Sequence, residues 1–480
     1  MSAGNNISAT IFQAIKLFGG VQVVSNLCSV VLNKLVAIWI GPVGMGLFSL
    51  YNAAIDMLRS ATSLGLRSSC VREVAIASAS GNPATLGRVI AIVKKWSWFA
   101  SIFGAVTTMA LAPLLSRWSF GTTDRIWDFI LLASVLMFNG FISGEQAILQ
   151  GSDRLRRLAS ASLFGTIGGL LCSIPLFYYL REDSILLSVI VYHAALLIAT
   201  LAFRHKKYPR ATLTNKEAAK GGMPFVKFGL MLTLSDFITM LFTYIFSAYL
   251  NRTAGTAEVG FYQSGFSLVG RYLGLIFTAL NMEYYPRLAR VCHSALRIRV
   301  FVSEEIRILM FILTPAAAIF LIARELIVSL LYSSEFHAII PYITWAIVGT
   351  VFRAYSWCLA VTIIAKGDGR TFLFTETTSV VTGFVLNVTF YNLWGLDGLG
   401  FAYMTWYAAY CVITGFVYFR RYRYTLSHAT TFISLVAFAS VATIAVLLEA
   451  QLTLFAIALT AALCAFSFFI LRNSLRTKRH

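Results

Sequence analysis

The sequence predicts an all-α polytopic membrane protein of about 14 transmembrane helices, as two pseudo-symmetric six-helix lobes followed by a C-terminal helix pair. Three observations carry this. Of 480 residues, 58% are hydrophobic and only 12% charged, against ~25% charged in soluble domains, so too few polar side chains exist to cover a water-facing globule. Apolar runs of about 20 residues recur from end to end, the length that crosses a ~30 Å hydrocarbon core. The basic residues also cluster in alternate loops, as the positive-inside rule requires. A closed β-barrel would need strands of about ten residues alternating in and out, and runs such as LLASVLMF at 131–138 do not alternate.

Taken in order, the spans are expected at 11–40, 46–70, 89–116, 126–150, 158–180 and 184–203. After a polar bridge come 225–250, 258–285, 300–332, 338–365, 371–394 and 398–419, then a last pair at 429–448 and 451–471. The domain reading is an N-lobe over 1–203, a basic cytoplasmic linker over 204–227, a C-lobe over 228–424, and the extra pair with a basic tail over 425–480. No cleavable signal peptide is expected, because MSAGNNISATIFQ has no basic n-region.

With the N-terminus placed in the cytoplasm, the opposite loops hold only Arg117, Arg125, Arg181 and Arg252, while most of the other basic residues fall on the cytoplasmic side. This orientation puts both termini and the bridge in the cytoplasm. It also accounts for the net charge of +19 without nucleic acid as a partner.

The two sides of the bridge repeat one another. GMGLFSLYNA aligns Gly46 with Gly260 of EVGFYQSGFS; QGSDRLRRL aligns Gly151 with Gly367 of KGDGRTFLF; YHAALLI aligns Ala194 and Ala195 with Ala408 and Ala409 of WYAAYCVI. Three matches in one order at a nearly constant offset indicate duplication. Six helices per half give parallel repeats about an axis along the membrane normal, with a ligand site between the bundles.

Charges inside the spans select the candidate site. Arg59, Arg271 and Arg353 lie about halfway along spans two, eight and ten, and Lys34 lies deep in span one. A bare charge there costs at least ~2.5–3.5 kcal/mol, so these side chains need a wet cavity or a partner. Lys16 and Arg324 lie nearer span ends and are expected to reach the interface. The embedded acids are Asp56, Asp236, Glu145 and Glu376, candidates for ion coupling (H+ or Na+) or for salt bridges. Asp56 precedes Arg59 by three residues and shares its helix face, so a purely structural ion pair is an equal reading. Bases lead acids, which favours an anionic ligand such as a phosphate or pyrophosphate, matched by guanidinium forks. An organic cation would want carboxylates and aromatic walls.

Enzymatic chemistry has little support. The six histidines and seven cysteines show no metal-ligand spacing, and no nucleotide loop or nucleophile motif is present. Neither a metal nor a cofactor is expected.

Several longer stretches carry a resemblance. NKLVAIWIGPVGMGLFSLY at 33–51, EVGFYQSGFSLVGRYLG from Glu258, YYPRLARV from Tyr284 and the run from Trp345 to Glu376, WAIVGTVFRAYSWCLAVTIIAKGDGRTFLFTE, resemble Wzx-type flippases. These are the O-antigen and lipid III translocases of the multidrug/oligosaccharidyl-lipid/polysaccharide exporter superfamily. The likeness covers residues 1–425. It implies a two-lobe fold that alternates between inward and outward openings around a cationic cavity. By position, it implies a basic residue at Lys34 and Arg353 and an acid at Glu376. Arg59, Arg271, Asp56 and Asp236 rest on the residues alone. The final helix pair departs from the twelve-helix lipid III type.

The function so implied is translocation of an undecaprenyl-diphosphate-linked oligosaccharide from the cytoplasmic to the periplasmic leaflet of a bacterial inner membrane. The partners expected are that lipid-linked oligosaccharide, membrane lipids, and the glycan polymerase and chain-length machinery. Two other readings stay open: a drug/cation antiporter on the same fold, and a membrane-embedded glycan polymerase or ligase.

Overall fold

The computed structural model describes residues 24–63, 65–205, 208, 213–291 and 294–477, with backbone alone at 224–232, at 474–477 and at several positions of 271–289. Lys16 lies outside them. The helices are α1 (Val24–Trp39), then α2 (Gly41–Thr62), α3 (Leu66–Ala79), α4 (Pro83–Phe120), α5 (Ile126–Gly151), α6 (Leu155–Leu180) and α7 (Ser184–Phe203). They continue with α8 (Asn215–Ala254), α9 (Thr256–Val291), α10 (Ala295–Leu331), α11 (Ile340–Ala365), α12 (Gly369–Phe416), α13 (His428–Glu449) and α14 (Thr453–Thr477).

Nine stretches among the described residues are long and apolar enough to cross a membrane. Two of them, Leu155–Phe203 and Gly369–Arg421, are long enough for two crossings. The first is interrupted by a 3₁₀ turn at Arg181–Asp183. The second breaks at Trp394 and Gly395, where a φ of +59° at the glycine turns the chain. The expected split between spans at 371–394 and 398–419 falls at this break. Helix α2, which holds Asp56 and Arg59, is not among the nine. Its two embedded charges dilute the membrane signal of that helix, whereas α11, with Arg353, keeps it.

The chain divides into two compact units, one ending at Gly260 and the other beginning at Phe261. In the first, α4 packs on α5, α6 on α7, and α8 on α2 and α4. Small residues set these distances, as expected where lipid removes the hydrophobic drive between helices. A Cβ at Gly144 would stand 2.0 Å from Ser97 Oγ, and one at Gly140 2.2 Å from Ser101 Oγ. The two glycines aligned by the internal repeat also meet here. A Cβ at Gly46 would lie 1.9 Å from the Thr256 carbonyl oxygen, and one at Gly260 2.1 Å from that of Pro42.

The second half of the bridge is not a free tether. Helix α8 starts within it, capped by Thr214, whose backbone N–H donates to Glu217 Oε2 at 2.8 Å. The hydrogen bonds from Thr214 hold this exposed carboxyl below its ordinary range. Lys95 Nζ donates to the Leu213 carbonyl at 2.5 Å and to Asn215 Oδ1 at 2.8 Å, and Trp96 Nε1 to the Ala218 carbonyl at 2.9 Å. Tyr208 and Leu213 pack against the α3–α4–α5 core.

In the second unit α11 packs on α12, and α13 and α14 pack on α10. Arg324 corrects an expectation. It does not reach out to an interface but is buried, donating to Thr344 Oγ1 at 2.7 Å and pairing with Glu449 Oε1 at 3.2 Å. A cation of α10 is thereby fixed to α11 and to the end of α13.

Candidate functional site

Each unit presents its own charged site. In the first, α2 carries Asp56 and Arg59 one turn apart, and Arg59 Nη2 lies 2.8 Å from Asp56 Oδ1, with both side chains about half exposed (41% for Asp56, 50% for Arg59). His193 Nδ1 of α7 donates to the Val189 carbonyl of its own helix, 2.8 Å away, with its ring in electrostatic reach of both charges. Beside Arg59 a cleft opens among α2, α3, α4 and α5, with about 440 Å³ of empty space counting its mouth. Its polar lining is Arg59, Thr62, Ser63, Arg67, Ser97, Asn139 and Ser143. Glu145 lies on α5 and pairs loosely with Lys94 at 3.9 Å. Lys34 on α1 is half-buried and Asp236 on α8 is exposed; neither has an ion pair among the described residues.

The second unit builds a different environment. Arg353 of α11 lies with its guanidinium carbon 5.2 Å from the Phe277 ring centre and 5.6 Å from that of Tyr407, and Nη1 donates to the Tyr403 hydroxyl at 3.1 Å. A cation over ring faces is held by their quadrupoles. No carboxylate pairs with Arg353 among the described residues. One turn beyond Tyr407, Tyr410 donates a short hydrogen bond to Glu376 of the first half of α12. Trp406 Nε1 donates to Ser379 Oγ at 3.0 Å across the same two segments. Arg271 is on α9, and its side chain lies outside the described residues.

Sequence reading therefore reached Asp56 with Arg59 as a pair, but not the company that these charges keep. His193, Arg67 and Asn139 lie far from Arg59 in sequence or look like ordinary helix polars. The tyrosines at 403, 407 and 410 had a readable signal, since that spacing puts three phenols on one helix face. Nothing in the sequence said that the face meets Arg353 and Glu376. No group of three or more His, Cys, Asp or Glu stands close enough to hold a metal among the described residues. What the two sites offer is charge and hydrogen bonding, which suits binding.

Comparisons with known proteins agree with this architecture. The lipid III flippase of Escherichia coli (strain K12) is 25% identical over 389 residues, spanning 79% of this chain and 91% of that protein. The Shigella flexneri lipid III flippase gives the same values, 25% over 389 residues. Among solved structures, the lipid II flippase MurJ in an inward closed conformation superposes with a TM-score of 0.72 at 11% identity, covering 96% of this chain and 99% of that one. An inward-facing multidrug resistance MATE family transporter of the MOP superfamily gives a TM-score of 0.67 at 14% identity, covering 84% and 94%. At such identities these structures establish the fold: an all-α, multi-pass membrane architecture shared with that superfamily. The family model described as polysaccharide biosynthesis protein matches residues 40–341, well over half of the sequence, and the chain belongs to that family.

Proposed function

We propose that this protein is a flippase that carries an undecaprenyl-diphosphate-linked oligosaccharide, of O-antigen or common-antigen type, from the cytoplasmic to the periplasmic leaflet by alternating access through a cationic central cavity. The observation that carries the reading is Arg353, a membrane-embedded cation with no carboxylate partner among the described residues. A charge left unneutralised at such cost serves an anion that comes and goes, and a pyrophosphate is the anion such a substrate brings. The likeness to lipid III flippases over most of both chains supports the same substrate class.

On this reading Lys34, Arg59, Arg271 and Arg353 hold the pyrophosphate and nearby sugars, while the polyprenyl tail stays in lipid. A hydrated headgroup cannot cross hydrocarbon unaided, so the protein supplies the polar path. Asp56, Asp236, Glu145 and Glu376 are the candidates for proton or sodium coupling. Residues 1–203 and 228–424 form the two lobes, joined by the 204–227 strap on the cytoplasmic side, with both termini on that side of the inner membrane. A glycan polymerase and chain-length machinery would consume the product.

The decisive experiment deletes the protein and identifies which lipid-linked oligosaccharide accumulates on the inner leaflet. Arg59→Ala, Arg271→Ala and Arg353→Ala are each expected to insert in the membrane and fail to relieve the accumulation. Full relief by all three would remove the cationic site. Drug resistance on expression, with surface glycan unchanged, would favour an antiporter instead; product found joined rather than relocated would favour a polymerase.

A further inference from the structure

The cleft beside Arg59 holds donors that the protein itself leaves unused. Asn139 is 7% exposed, lines the cleft, and its amide nitrogen has no hydrogen-bond partner. A buried amide N–H without a partner in its own chain calls for one from outside it, a water, an ion or a ligand. Arg67 makes no hydrogen bond or ion pair among the described residues, although it is near enough to feel the Arg59 charge. The hydroxyls divide into two groups. Thr62 and Ser97 donate to carbonyls of their own helices at 2.7 and 2.8 Å, while Ser63 and Ser143 line the cleft with no such bond among the described residues.

The backbone adds to this. The span that contains α2 breaks at Ser63 and restarts as α3 after Gly65, whose φ is +62°. That restart puts the first turn of a 14-residue helix at the cleft, with no side chain capping it. The Leu66 N–H is taken by the Ser63 carbonyl at 3.0 Å; the amides after it in the first turn have no carbonyl within their own helix and carry the positive end of its dipole. No carboxylate lines the cleft among the described residues.

We propose that this cleft is a phosphoryl-binding site within the first unit, in which Arg67, Arg59, the Asn139 amide and the start of α3 surround one phosphate group. Donors arriving from α2, α3 and α5 suit a tetrahedral group with several oxygens better than a planar carboxylate. The group is either the headgroup phosphate of a lipid or the phosphate end of a soluble or carrier-linked anion. Only the second source rests on the flippase reading.

The test uses the full chain in nanodiscs, with two probes. Inorganic pyrophosphate is titrated calorimetrically into discs of phosphatidylcholine, and retention of phosphatidylglycerol from mixed discs is read by native mass spectrometry. At least one probe is expected to bind the wild type, and its affinity to fall tenfold or more in Arg67→Gln and in Asn139→Asp. Arg88→Gln, outside the cleft, should bind as the wild type does. Binding of pyrophosphate alone assigns the free or carrier phosphate; retention of phosphatidylglycerol alone assigns a lipid headgroup. Thermal unfolding of each variant checks the fold; if Asn139→Asp fails to fold, the exposed Arg67→Gln decides the outcome by itself. Failure of both probes on the wild type, or wild-type affinity in folded Arg67→Gln, overturns the site. A wild type that binds in the cleft but moves no lipid-linked oligosaccharide would count against the flippase reading alone, and transport without cleft binding would do the reverse.

Discussion

The two compact units of this chain treat an embedded arginine in opposite ways. Arg59 in the first unit is half exposed, paired with Asp56 on its own helix, and opens onto a cleft of hydroxyls and an unpartnered amide. Arg353 in the second lies between the Phe277 and Tyr407 rings, is hydrogen-bonded to Tyr403, and has no carboxylate partner among the described residues. The first arrangement leaves the guanidinium free to change partners at small cost. The second fixes its position and keeps its charge unspent. The two units thus hold an adaptable cationic site and a rigid one.

Arg353 offers the strongest way to break that contrast. Arg353→Ala removes both ring contacts and the bond to Tyr403, so transport should be lost and the fold weakened by about 2 kcal/mol, the scale of a desolvated cation–π contact. Arg353→Lys keeps the charge without the flat guanidinium and should recover part of the transport. Inner-leaflet accumulation of the lipid-linked oligosaccharide, together with detergent-resolved thermal unfolding, reads both effects. If alanine here leaves stability unchanged, the aromatic cage is not what holds the cation.

Arg59→Ala should separate the two readouts. An exposed pair of this kind is worth ~0.2–1 kcal/mol, so unfolding should shift by less than about 1 kcal/mol while transport falls as far as in Arg353→Ala. Equal losses of stability at the two positions would erase the distinction between them.

How far the sequence reached follows the same division. Helix number and order were legible because hydrophobic length is a property of one segment at a time. The break between the two halves of α12 was legible too, since Leu393, Trp394 and Gly395 end one apolar run before the next begins. The pairing of Asp56 with Arg59 needed only helix geometry. The cage around Arg353 needed α9, α11 and α12 brought together, and no periodicity encodes that. Arg324 was misjudged for the same reason: its neighbour in sequence is Glu325, but its partner in space is Glu449, at the end of a helix pair that single-segment reasoning could only append.

That pairing gives the next test. Glu449→Gln leaves the buried Arg324 with Thr344 alone, and should lower stability by about 1–2 kcal/mol, discounted because Glu449 is 44% exposed. Transport should be nearly unaffected, since this cation already has a structural partner. A transport defect with normal stability would instead move Arg324 into the same class as Arg353.

The smallest expected effect lies at the loop end of α12, where Asp368 caps the helix. It accepts from the Thr371 hydroxyl at 2.8 Å and its N–H at 3.2 Å, from Tyr422 at 3.0 Å, and pairs with Arg421 at 3.0 Å. Partial burial pushes this carboxyl up, but the bonds from Thr371 and Tyr422 and the Arg421 charge outweigh it, and the group ends below its ordinary range. A depressed carboxyl stabilises the fold above its unfolded pKa of about 3.9 and loses that contribution as pH falls through the folded value. The stability gap between wild type and Asp368→Asn should therefore stay constant from neutral pH to about pH 5, and close only below about pH 4. A gap that stayed open below about pH 4 would mean that Asp368 acts as a plain helix cap, indifferent to its charge.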